Sequence, residues 1–144
     1  MSVLGGNLVN FLMYLLVAIP LMMLGIFIFI HTTSYNEFAI MKKGGDVSDF
    51  CHVDAAMAAS YDLGGKIIGL AIVIASAIFH SVTIFDLAIW GIIGIIFEVF
   101  VFCLFRLLAP IKVTEEIPKG NVAVGIFSAA LSLSSSLIMS ALIS

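Results

Sequence analysis

Long apolar runs broken by brief polar clusters set the rhythm of the chain. Residues 8–30, 59–79, 87–109 and 122–143 are dominated by Leu, Ile, Val, Phe, Ala and Gly, and about 20 such residues in a helix cross the roughly 30 Å of hydrocarbon in a bilayer. The pattern predicts four transmembrane helices. The tail ahead of the first run has no Lys or Arg. That run is also too long for the apolar segment of a signal peptide, so it reads as a retained span. Between the first two runs, Phe50, Val53, Met57 and Tyr61 recur at helical spacing. Much of the insert at 44–57 is therefore expected to extend the second span as an amphipathic helix.

Composition agrees with the pattern. Of 144 residues, 62% are hydrophobic and 10% charged, with a mean hydropathy of +1.26. That leaves too few polar side chains to coat a water-soluble domain. The expected fold is all-α: a four-transmembrane-helix bundle forming one integral membrane domain over 1–144. Its halves, about 8–82 and 83–144, each hold a long apolar helix, a loop with Glu and Lys, and a return helix rich in small residues. They run in the same direction and read as two parallel two-helix repeats. Lys42 and Lys43 lie in the first long loop, and Arg106, Lys112 and Lys119 at or near the second, whereas the opposite side has no Lys or Arg. Positive charge stays on the cytoplasmic side, so both termini are expected to be periplasmic. A net charge of −3 without a basic block argues against nucleic acid as a partner.

The second span carries Asp62 and, four residues on, Lys66. They share a helix face. A central Asp or Lys costs about 2.5–3.5 kcal/mol on insertion scales, against about 0.3–0.6 regained per Leu or Ile, so this span inserts poorly alone. If spans two and three form a hairpin turning near 83–84, residues at equal depth have numbers summing to about 167, given equal rise per residue. Asp62 then lies level with Phe105, beside Arg106, and Lys66 within a turn of Glu98. Asp62, Lys66, Glu98 and Arg106 are thus the candidate intramembrane charge network, read as two acid–base pairs. They would either latch the hairpin or line an ion or proton path. Snorkelling of Lys66 toward the surface is a third reading.

Small residues mark a second feature. Ser128, Ser132, Ser136 and Ser140 recur every fourth residue, a series that continues to Ser144, while Gly65 and Gly69 form a GxxxG pair. Such residues let helices approach closely, and Gly65, Gly69, Ser128, Ser132, Ser136 and Ser140 are the candidate helix-contact face, within one chain or between copies. Pro20 is expected to bend the first helix. Trp90 and His80 suit the membrane interface. Cys51 and Cys103 lie in no CxxC pattern, and Cys51-His52-x-Asp54 matches no strong metal signature. No catalytic, cofactor-binding or metal residues are assigned, and no enzyme activity is expected.

The stretches YNEFAIMK, AASYDLGGKIIGLAIVIASAI, IFDLAIWGIIGIIFEVFVFCLFRLLAP and EEIPKGNVAVGIFSAALSL resemble the YjfL-like family of small bacterial inner-membrane proteins, a domain-of-unknown-function family. The family pattern has a Gly-Asn or Asn-Thr step before an Ala-rich helix in both repeats. Here only Gly120-Asn121 keeps it, and Asp62 and Lys66 stand where the family is apolar or small. The resemblance implies a multi-pass inner-membrane protein, linked to membrane maintenance or envelope stress through PspA-like partners. The leading expectation is a non-enzymatic component, a homo-oligomer or part of a membrane complex, docking through loops 37–57 and 110–120. The alternative is an oligomeric ion channel or transporter using the intramembrane charges.

Overall fold

A computed structural model describes residues 2–46, 48–108 and 111–143. Ala109 and Pro110, where the third span and the second loop were expected to meet, lie outside the described residues. So do Val47 of the insert and Ser144 of the serine series. Among the described residues all regular structure is helical: α1 (Ser2–Thr32), α2 (Glu37–Lys43), α3 (Phe50–His80), α4 (Ile84–Leu108), α5 (Val113–Glu116) and α6 (Val122–Ile143). The stretches Gly6–Thr32, Phe50–His80, Ile84–Leu108 and Val122–Ile143 are long and apolar enough to cross a membrane.

Local chemistry sets the boundaries. Asn36 caps α2 by accepting the Ala39 N–H at 3.0 Å, and Asp49 caps α3 by accepting that of Cys51 at 3.0 Å. Each cap satisfies one donor that the first helical turn leaves free. Thr83 and Asp86 cap the start of α4 reciprocally, Asp86 N–H to Thr83 Oγ1 and Thr83 N–H to Asp86 Oδ2. α3 therefore begins at Phe50, so the insert from Phe50 onward does extend the second span. α1 continues through Pro20.

α3 is the hub, packed on α1, α2, α4 and most extensively on α6. Asp62 meets Ser128 and Ser76 meets Ser140, separations of 66 and 64 residues, so α3 and α6 run parallel. α1 returns antiparallel to α3, since Tyr14 reaches Ser81 while Tyr35 reaches Asp62. In the α3–α4 hairpin, Val73 lies against Gly94 and Lys66 against Phe102. That keeps the expected register to within one residue.

The α3–α6 seam is a contact of small residues. A methyl group at Gly65 would overlap the Ala129 backbone, at Gly69 the Ser136 hydroxyl, and at Gly125 the Ala58 backbone. Such absence of side chains brings two backbones together and gains dispersion contacts, which drive helix association where lipid is as apolar as leucine. Large apolar side chains such as Leu16, Met23, Phe27, Ile96, Phe100 and Leu137 remain exposed around the perimeter. This is the surface a bilayer covers.

Candidate functional site

The parallel seam carries a polar core. Asp62 is 0% and Lys66 1% exposed, and the Lys66 ammonium donates to Asp62 Oδ2 at 2.7 Å. The helical i,i+4 spacing makes this pair, as the sequence anticipates. Neighbouring elements complete it. Lys66 also donates to Thr33 Oγ1 at 3.3 Å, from the end of α1, and sits 4.2 Å from the centre of the Phe102 ring, where the ring's negative face attracts a cation. Tyr35 donates its phenol to Asp62 Oδ2 at 2.6 Å, and Ser128 donates to Asp62 Oδ1. Burial, then the Asp62 charge and hydrogen bond, hold the Tyr35 hydroxyl well above the usual phenol range.

Glu98 lies apart from this group, at the α4–α6 contact. It is 3% exposed and accepts from Ser136 at 2.6 Å and Ser135 at 3.2 Å. Both hydroxyls also reach the Ser132 carbonyl. Among the described residues no cation lies within ion-pair distance of it.

The two acid–base pairs expected between α3 and α4 are therefore corrected. Depth is as expected, but azimuth is not. Glu98 turns toward α6, where two hydroxyls meet it, and Lys66 is already satisfied by Asp62 and Thr33. Arg106 is exposed and makes no ion pair among the described residues. It lies in the last turn of α4, where a long guanidinium reaches headgroup water without desolvation. Lys66 does not snorkel, being enclosed by α1, α3 and α4.

The six helix-contact residues lie together within one chain. Gly65 and Gly69 meet Ala129, Ser132 and Ser136, Ser128 meets Asp62, and the Ser140 carbonyl accepts from Ser76 at 2.9 Å. His52 pairs with Asp49 at 3.3 Å on the surface.

Sequence reasoning missed Thr33, Tyr35, Glu37 and Ser135. Glu37 had a signal: it shares the helical face of Ile40 and Met41, and it is 0% exposed. Ser135 had one too, because a 3.6-residue period carries 128, 132, 135 and 139 down one face, so a strict count of four drifts off it. Thr33 and Tyr35 follow the last turn of α1 in an irregular segment, where no periodicity marks an inward residue.

Apolar helices around a core of buried carboxyls, hydroxyls and one ammonium define a polytopic helical membrane protein with an intramembrane polar site. The chain belongs to the family described as Domain of Unknown Function (DUF350), whose profile matches residues 3–143. It is 28% identical over 127 residues to the UPF0719 inner membrane protein YjfL of Escherichia coli strain K12, covering 88% of this chain and 87% of that protein. It is 27% identical over 137 residues to the UPF0719 transmembrane protein YshE of Bacillus subtilis, covering 94% of each. No solved structure matches the chain.

Proposed function

We propose that the chain is a multi-pass protein of the bacterial inner membrane that carries protons or small cations through its polar core, with Glu98 as the intramembrane carrier group. One observation carries the reading: Glu98 is buried in mid-helix with serine hydroxyls as its partners and, among the described residues, no cation within ion-pair distance. A buried carboxylate is costly unless paired, and an ionisable residue inside a span is a functional candidate by default. The inner-membrane location follows the name of the Escherichia coli relative. The distribution of Lys and Arg supports a periplasmic side for both termini.

The order α1–α2–α3 followed by α4–α5–α6, each a long helix, a short one and a return helix, together with the parallel run of α3 and α6, supports two parallel repeats. Assembly with other copies or a PspA-like partner is the second reading. Phe38 and Phe50, at 56% and 81% exposed, favour it because they lie within the 37–57 segment expected to dock. The small-residue face, open beforehand to use within one chain or between copies, packs inside the chain, which leaves less of it for subunit contacts and supports ion handling.

Purified protein in liposomes tests both. Flux driven by a pH or cation gradient that drops at least about tenfold in Glu98→Gln supports the carrier reading. Absence of flux in the native protein rejects it, and co-purification of a cytoplasmic membrane-binding protein that Phe50→Ser abolishes supports assembly instead.

A further inference from the structure

Glu98 and the α6 serines form a closed set of short oxygen contacts. Ser136 Oγ lies 2.6 Å from Glu98 Oε1 and 2.6 Å from the Ser132 carbonyl oxygen. Ser135 Oγ lies 3.2 Å from Glu98 Oε2 and 2.9 Å from that same carbonyl. All three side chains are buried. A serine hydroxyl has one hydrogen to give, whereas an ionised carboxylate and a carbonyl can only accept.

Counting hydrogens decides what this cluster holds. With Glu98 ionised, two hydroxyl hydrogens serve four contacts, and Ser136 can fill only one of its two short ones. The other would set lone pairs face to face. A distance of 2.6 Å falls in the usual O–H···O range of about 2.5–3.0 Å, so both Ser136 contacts have the length of hydrogen bonds. One hydrogen on Oε1 fills the set: the acid donates to Ser136 Oγ, Ser136 donates to the Ser132 carbonyl, and Ser135 donates to that carbonyl as well. A metal cation does not fit the same spacing. Hard cations bind oxygen at roughly 2.0–2.6 Å and so hold oxygens of separate groups about 3 Å apart, further than Oε1 lies from Ser136 Oγ.

Charge around the cluster agrees. The α6 helix has no ionisable side chain, and α3 presents Asp62 and Lys66, which pair with each other. On α1, His31 is exposed and turned back to the Phe27 carbonyl, and Arg106 of α4 is exposed. A hydrogen on Glu98 leaves Asp62, Lys66 and Glu98 without net charge, as a low-dielectric interior requires.

We propose that the species Glu98 takes up is a proton, held as a neutral carboxylic acid within the serine cluster; the inference rests on the reading of Glu98 as the carrier group and names its cargo. On uptake an O–H bond forms at Oε1, and the Ser136 hydrogen turns from the carboxylate to the Ser132 carbonyl. On release the hydroxyl turns back. Only hydrogens move.

Two measurements on the full chain test this. Infrared spectra of the purified protein at neutral pH are expected to show a carbonyl band of un-ionised carboxylic acid that is lost in Glu98→Gln, whose amide can replace the acid as a donor to Ser136. Absence of a Glu98-dependent band overturns the proposal. Should Glu98→Gln fail to fold, glutamate ¹³C-labelled at its side-chain carboxyl is compared in native protein and Ser136→Ala: a labelled acid band that shifts supports the proposal, and none that shifts overturns it. In liposomes, a pH gradient with choline as the sole other cation is expected to drive flux that falls at least about tenfold in Glu98→Gln, and sodium or potassium gradients at equal pH to drive none. Glu98-dependent alkali flux at equal pH overturns the proton and leaves the carrier reading standing. No flux under either gradient, with the acid band present, rejects the carrier reading and leaves the neutral acid standing.

Discussion

Lys66 shows how one side chain is held inside a bilayer. Its ammonium has a carboxylate, a hydroxyl and an aromatic face around it, so removing one partner strands another. Truncating one member of a buried pair typically costs about 3–5 kcal/mol. Lys66→Met is therefore expected to lower the unfolding midpoint strongly, and Lys66→Met with Asp62→Asn to recover part of the loss. Equal destabilisation by the single and double variants in detergent would remove the pair as a stabilising unit. Tyr35 supplies a pH prediction. Its hydroxyl is held above the ordinary value of 10.0 by burial and by Asp62, so its stabilisation is complete below that pH and is lost as pH rises past it. Of the three tyrosines, Tyr35 is expected to escape ultraviolet titration near pH 10 until the fold opens. Tyr35→Phe should then leave the phenolate signal of the folded protein unchanged.

At the scale of elements, the α3–α6 seam rests on positions without side chains. Gly65 and Gly125 face backbone that has no room to move, whereas Gly64 next door faces open space. Gly64→Ala is expected to be neutral or slightly stabilising, since Ala is favoured over Gly in a helix by about 1 kcal/mol. Gly65→Leu or Gly125→Leu should push the helices apart and lower the midpoint sharply. A disulfide-trapping pair across the seam that still forms in Gly65→Leu would contradict this. The caps at Asn36, Asp49 and Thr83 are local, each made within three residues along the chain. Extension of α3 from Phe50 was legible in the spacing of Phe50, Val53, Met57 and Tyr61. The depth of Lys66 opposite Phe102 was legible too, because rise per residue is fixed.

For the whole molecule, the arrangement of charge separates two surfaces. The apolar perimeter faces lipid, and the buried groups Asp62, Lys66 and Glu98 gather where α3 meets α1, α4 and α6. A conduction pathway through this core would use the Glu98 and Lys66 regions in series, so the proposed flux should respond to Glu98→Gln without loss of inserted protein.

The amino-acid sequence alone determined the four apolar helices, their hairpin register and the Asp62–Lys66 pair, because length, periodicity and i,i+4 spacing are properties of the chain itself. Tertiary structure decided the rest. Glu98 turns to the α6 serines, Arg106 stays outside, and Tyr35, Thr33 and Glu37 close over α3. Such choices depend on the rotation of one helix against another, and that angle emerges only when Gly65, Gly69 and Gly125 let the backbones meet.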